Sequence, residues 1–456
     1  MSLSRYPRYP AYKDSGVEWL GEVPAHWEVR RLQYVADVNP VDAYTSRLPL
    51  DTEVSFVPME AVGEYGGLRL DNTTTVGDTK AGYTHFRDND VLVAKITPCF
   101  ENGKGALARG LVNGQAFGTT ELHVLRPGAS FYAGFLFYLS ISRPFRLIGE
   151  AAMYGAGGQK RISDDFVRNF RSAFPNVSEQ RQIANFLDRE TARIGALIDK
   201  KRKLIELLQE QRAAIITRAV TRGLDPHAPM KDSGVEWLGE IPANWEVKRI
   251  KFLAKVGNGS TPNRDEPEYW NGDYPWLNSS VVNRDEVVSG ADFVTARALR
   301  ECHLPIIQPP AVLMGITGEG RTRGMASVLR IEATISQHVA AIHQPKSGVS
   351  VDYVRYVLVA AYKYLRELSS GAGGTKAALT CVQLGDFEIP LPLLEVQHEI
   401  VADLRSRLSS IDKVGQCIES AIAALSELRS SLITAAVTGA IDVRASLDAD
   451  ARIDAA

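Results

Sequence analysis

The chain has 456 residues, of which 45% are hydrophobic and 23% charged, with a formal net charge of −2. That length leaves room for two to four domains, and the composition is that of an ordinary soluble globular protein. A near-neutral balance excludes a strongly basic chain, so any contact with nucleic acid has to come from local patches. The four scattered cysteines, Cys99, Cys302, Cys381 and Cys417, fit neither a zinc motif nor a disulfide framework.

In chain order, the opening "MSLSRYPRYPAYKD" lacks the apolar core of a signal peptide, so a soluble cytoplasmic protein is expected. The segment "KDSGVEWLGEVPAHWEVRRL" (Lys13–Leu32) follows, with Trp19 and Trp27. Short strand-like runs come next. "VLVAKITPCFENGKGAL" (Val91–Leu107) reads as a strand entering a glycine-rich turn that carries Lys95 and Lys104. "AFGTTELHVLRP" (Ala116–Pro127) alternates as a strand does. The apolar run "FYAGFLFYLSI" (Phe131–Ile141) is too short to span a bilayer, which needs roughly 20 residues, and reads as a buried helix. "YGAGGQKRIS" (Tyr154–Ser163) is a glycine loop bearing Gln159, Lys160 and Arg161.

A long helix is predicted after Pro175, with Ser178 as its N-cap and its end near Thr221, ahead of Gly223. Ile183, Leu187, Ile194, Leu197, Leu204, Leu208 and Ile215 recur in steps of three and four, the stripe of a coiled coil. At Lys231 the chain then writes "KDSGVEWLGEIPANWEVKRI", identical to the first copy at sixteen of twenty positions and carrying Trp237 and Trp245.

The repetition continues at offsets near 217. "TISQHVAAIHQP" (Thr334–Pro345) answers "AFGTTELHVLRP", and "SGAGGTKAAL" (Ser370–Leu379), with Thr375 and Lys376, answers the first glycine loop. "VLMGITGEGRTRGMASV" (Val312–Val328) stands where the first copy has its strand and turn, and puts Arg321 and Arg323 there. "PLLEVQHEIVADL" (Pro392–Leu404) opens a second long helix whose stripe is Ile400, Leu404, Ile411, Val414, Ile418, Leu425, Leu428 and Leu432. Each helix is about 60 Å long at 1.5 Å per residue. A narrow stripe needs a partner, and the other helix, running antiparallel, is the simplest one. Charge favours that pairing: Lys160–Arg222 holds 14 Lys/Arg against 8 Asp/Glu, and Lys376–Asp442 holds 5 against 9.

Motifs of catalysis are missing from the sequence. There is no G-x-x-x-x-G-K-[ST], no H-E-x-x-H, no G-x-S-x-G and no N/D-P-P-Y/F box, and the eight histidines lack metal-ligand spacing. The polar loops read instead as contact surfaces, where glycine lets a backbone approach a phosphate and Arg or Lys anchors phosphates or reads base edges.

The twice-written "KDSGVEWLGE-[VI]-P", the pair "TTELHVLRP" and "ISQHVAAIHQP", and "GG-x-K" ahead of a Pro-led long helix together resemble the specificity subunits of type I restriction–modification systems. "YWNGDYPWLNSS" (Tyr269–Ser280), which includes Asn278, is similar to a segment of that family's target-recognition domains.

The resemblance implies an α+β fold. Two similar mixed α/β target-recognition domains are separated by two long antiparallel coiled-coil helices, as a pseudo-two-fold internal repeat. The domains expected are 1–174, with the Trp-rich segment, and 223–391; the spacer helices are 175–222 and 392–442, and a tail covers 443–456. The resemblance further implies a non-catalytic subunit that reads an asymmetric bipartite site on double-stranded DNA, one domain per half-site. It would dock two adenine-N6 methyltransferase subunits and, through them, ATP-dependent restriction subunits. No cofactor is expected on this chain, since S-adenosylmethionine, ATP and Mg belong to the partners, and no membrane is involved. The candidate DNA contacts are Lys95, Lys104, Gln159, Lys160, Arg161, Asn278, Arg321, Arg323, Thr375 and Lys376. The candidates for frame assembly or methyltransferase docking are the four repeated tryptophans. A stand-alone DNA methyltransferase or nuclease, and an assembly protein without DNA specificity, are the alternatives.

Overall fold

The computed structural model describes residues 6–41, 48–79, 82–155, 158–318, 320–370 and 378–444. The chain divides into two compact units, Met1–Lys201 with Glu419–Ala456, and Arg202–Ile418. The divisions fall in mid-helix, not at the helix ends expected from the sequence, because each half of a long helix buries its apolar side in a different core. Each unit thus takes opposite ends of the two helices, Val177–Arg222 and Leu394–Val437.

In the first unit Ala36–Val38, Leu122–Pro127, Val91–Ala94 and Gly105–Leu107 form an antiparallel sheet in that order. A second sheet runs Thr73–Thr75, Glu53–Val57, Gln115–Gly118, Thr84–Arg87, with a parallel pair at its centre. "VLVA" at Val91–Ala94 is buried at all four positions, so that strand is covered on both faces. The helix Ala133–Ile141 is buried throughout, as the apolar run predicts, and Pro144 opens the next helix, Arg143–Ala151. Trp27, Phe100, Phe135, Phe145 and Phe186 fill the core.

The second unit repeats this plan. Its larger sheet runs Lys255–Asn258, Val339–His343, Ala311–Gly315, Ala326–Leu329, Glu286–Val287. Its smaller sheet runs Asp292–Val294, Trp270–Leu277, Thr334–Ile335, again with a parallel pair. Helices Val351–Ala360 and Tyr362–Ser370 follow, and Thr380 and Gln383 form a capping box on Cys381–Asp386.

Two expectations about the long helices are corrected. The first is capped by Asn176, whose Oδ1 accepts from Glu179 N–H at 3.0 Å, and not by Ser178. The seam is also displaced: Leu197, Leu204 and Val414 are 38%, 43% and 48% exposed, while Ile198 is buried and Ile205 half-buried. The inward stripe runs Ile183, Leu187, Glu190, Ile194, Ile198, Lys201, Ile205, Leu208, Arg212, Ile216 and Ala219. A step of four from Ile194 to Ile198 replaces the expected three, so the stripe follows a straight helix of about 3.6 residues per turn and not a supercoil of about 3.5. Among the described residues Leu394–Val437 is long and apolar enough to cross a membrane by length and composition. Its last turns, Leu432, Ile433 and Ala435–Val437, lie in the first unit's core.

The twenty repeated residues seat helix ends. Gly439 has a φ of +74°, and a Cβ there would meet Pro24 Cδ at 2.4 Å; the Tyr12 hydroxyl donates to the Gly439 carbonyl at 3.0 Å. In the second unit Gly223, also at φ +74°, packs under Trp245. Glycine past the last turn suits the left-handed conformation that ends a helix.

Candidate functional site

In the first unit three motifs meet where strand Val91–Ala94 ends. Lys95 N–H donates to the Glu121 carbonyl, and the Lys95 carbonyl accepts from Ile162 N–H, both at 3.0 Å. Thr97 N–H donates to the Lys160 carbonyl at 3.0 Å. Over this knot Arg161 reaches back, with Nε donating to Glu121 Oε2 at 2.9 Å and Nη2 to Oε1 at 2.8 Å. The Arg161 hydrogen bonds hold the Glu121 carboxyl below its usual range. Glu121 N–H is turned by Thr119 Oγ1 at 3.2 Å, while Gln159 and Lys160 stand exposed beside the pair.

The second unit ties the same backbone knot. Ile316 N–H donates to the His338 carbonyl at 3.0 Å, Leu379 N–H donates to the Ile316 carbonyl at 2.8 Å, and His338 N–H donates to Ser336 Oγ at 3.3 Å. The side chains on it differ. Other polar groups replace the ion pair: Thr317 Oγ1 lies 2.8 Å from His338 Nδ1, Gln337 Nε2 lies 3.3 Å from His338 Nε2, and the Thr261 hydroxyl donates to Gln337 Oε1. Thr261 gets there because Gly259 runs against strand Thr334–Ile335, where a Cβ would sit 1.6 Å from the Ile335 carbonyl oxygen. The tryptophans of "YWNGDYPW" pin this loop. Trp276 Nε1 donates to the Ser260 carbonyl at 3.0 Å, Trp270 Nε1 donates to the Asn263 carbonyl at 2.9 Å, and the Arg264 guanidinium stacks over Trp270 at 4.2 Å.

The expected contact residues separate into groups. Lys95, Gln159, Lys160 and Arg161 come together at the first knot, and Arg321 is exposed on the second unit's hairpin turn. Lys104 is turned inward, its Nζ donating to the Met59 carbonyl at 3.3 Å. Asn278 caps the turn Ser279–Asn283 by accepting from Ser280 N–H at 2.8 Å. Arg323 is 4% exposed, reaches Ser370 Oγ at 3.4 Å, and leaves Nε and Nη1 without partners, so it offers no surface for a duplex. Thr375 and Lys376 lie outside the described residues. Glu121, Thr261, Gln337 and His338 were missed. Glu121 and His338 are equivalent in the backbone hydrogen bonds they make, but they stand one place apart in the two aligned segments, so the sequence comparison did not pair them.

The repeated tryptophans pack into the frame, and the buried Trp27 and Trp245 offer no docking surface. Trp27 is fully buried, with Nε1 donating to Glu179 Oε1 at 3.2 Å, and Trp245 is 3% exposed. Trp19 lies on Phe170 and Trp237 stacks on Phe387, with centroids 5.2 and 5.3 Å apart. Glu179, itself 4% exposed, also accepts from the Tyr9 hydroxyl at 2.8 Å and lies 2.8 Å from His26 Nε2. At Trp27 and Trp237 the indole N–H has a partner within the fold, Glu179 Oε1 in one case and the Glu388 carbonyl at 3.1 Å in the other.

Residues 242–419 match the family described as type I restriction modification DNA specificity domain. Over 164 residues, 36% of this chain, it is 41% identical to the type I restriction enzyme EcoEI specificity subunit of Escherichia coli. That match spans 27% of the relative, about a quarter of its length. Over 435 residues, 93% of this chain and 96% of the relative, it is 22% identical to the putative type I restriction enzyme MjaX specificity subunit of Methanocaldococcus jannaschii. Among solved structures, a chain from work on complex assembly and conformational transition of the type I R-M system superposes with a TM-score of 0.72 at 18% identity. It covers 91% of this chain and 98% of that one. The HsdS subunit from Thermoanaerobacter tengcongensis gives a TM-score of 0.53 at 19% identity with the same coverage. Residues 242–419 thus carry the sequence of a type I restriction modification DNA specificity domain, and over nine-tenths of its length the chain shares the fold of the solved HsdS subunit.

Proposed function

We infer that this chain is the sequence-specific DNA-recognition and scaffold subunit of a type I restriction–modification complex. It reads an asymmetric bipartite site, one domain per half-site, and holds two adenine-N6 methyltransferase subunits, through which ATP-dependent restriction subunits join. It works in the cytoplasm and catalyses nothing by itself; S-adenosylmethionine, ATP and magnesium sit on its partners. One observation carries this reading: a single backbone frame is built twice, and unlike polar side chains stand on it in the two copies. Duplicated frame with diverged contact groups is what reading two different sequences requires. A bulk charge near zero is compatible with it when partner subunits neutralise many of the phosphates.

Reconstitution tests it. The chain and its adenine methyltransferase subunit, mixed, are expected to transfer labelled methyl groups to adenine N6 in a sequence-dependent way, while the chain alone transfers none. Methylation or cleavage by the chain alone would contradict the reading. So would a methyltransferase subunit that modifies the same sequences in its absence.

A further inference from the structure

The two equivalent knots differ in a way that maps onto the hydrogen-bond code of the major groove. Arg161 has five N–H donors and commits two, on Nε and Nη2, to Glu121. That side-on grip fixes the guanidinium plane and leaves the end-on edge, Nη1 with the second Nη2 hydrogen, as a paired donor fork. Such a fork matches the O6 and N7 acceptors of guanine. At the second knot Gln337 and His338 are both exposed, and Gln337 is the one that carries an amide. Its Oε1 accepts from Thr261 and its Nε2 lies against His338, which leaves one lone pair and one N–H. One acceptor beside one donor matches N6 and N7 of adenine.

We propose that each knot reads one base pair, Arg161 a guanine in the half-site of the first domain and Gln337 an adenine in the half-site of the second. The assignment rests on the DNA-recognition reading above. Glu121, Thr261 and His338 are positioning residues, which hold a fork or an amide in one plane before DNA arrives. Pre-orientation matters here because a free Arg or Gln side chain loses rotamer freedom when it binds.

The test uses the chain assembled with its methyltransferase subunits and duplexes randomised across the site. The wild-type complex comes first; if it shows no sequence preference, the DNA-recognition reading itself fails. Given a wild-type motif, Arg161→Ala is expected to lose discrimination for guanine at one position by roughly 5- to 150-fold, with the other half-site unchanged. Gln337→Ala is expected to do the same for one adenine in the opposite half. Arg161→Lys keeps the charge beside Glu121 but lacks the planar fork, so it guards against a folding defect and should weaken the guanine preference, less than Arg161→Ala does. Glu121→Gln should weaken that preference at the same position only. Variants that keep every base preference while binding uniformly more weakly would overturn the assignment, as would an effect at a position that is not guanine or adenine.

Discussion

His123 shows what a single buried side chain can report. It is 1% exposed, with Nε2 3.2 Å from the Ile162 carbonyl and Nδ1 3.0 Å from Asn39 Nδ2. Burial pushes its pKa down, so the folded chain keeps the imidazole neutral. Below about pH 6.5 the unfolded chain takes up a proton that the folded chain refuses. The stabilisation is therefore complete above that pH and is lost as pH falls. The urea midpoint is expected to drop between pH 7 and pH 5, and His123→Gln to flatten the slope; a slope unchanged in the variant would mean the histidine titrates alike in the folded and unfolded chain. Arg323 makes the opposite point, because nothing in a glycine-rich turn sequence distinguishes an arginine that faces solvent from one that folds under it.

At the scale of elements, buried hydrogen bonds and surface ion pairs hold the long helices in place with unequal strength. Gln397 is fully buried, accepts from Ser350 N–H at 2.8 Å, and donates to the carbonyls of Pro392 and Gly348 at 2.8 and 2.9 Å. Gln180 does the same in the first unit with Tyr132 N–H and the Pro175 carbonyl. Arg212, by contrast, pairs with Asp412 at 2.6 Å and Asp285 at 3.4 Å, and both carboxylates are more than half exposed. Removing Gln397 orphans buried backbone groups at about 1–3 kcal/mol each, whereas an exposed pair is worth up to about 1 kcal/mol. Gln397→Ala is thus expected to cost about 2–4 kcal/mol by chemical denaturation and Arg212→Ala no more than about 1; the reverse order would contradict this ranking. The sequence announced both glutamines, six residues into "PNVSEQ" and "PLLEVQ", but no periodic pattern marks a polar core residue. The helices themselves were legible and their inward face was not. A heptad seam and a straight-helix stripe share their first turns and diverge only near Ile198, where the drift between the two periods has accumulated.

For the whole molecule, the duplication was the most legible feature, since sixteen identities in twenty residues need no structure to be seen. What those residues do was not legible: each copy closes over the end of a long helix at Gly439 or Gly223, so their likeness reflects a shared packing task. The contact groups were legible only in part, because a reader is defined by what differs between the copies, and the differing residues are ordinary ones. Modified-base sequencing of host DNA with and without this gene tests the central claim most directly. The account predicts one methylated motif with two unlike defined halves and a fixed unread gap, lost when the gene is removed. A palindromic motif, a single uninterrupted one, or a pattern that survives without the gene would contradict it.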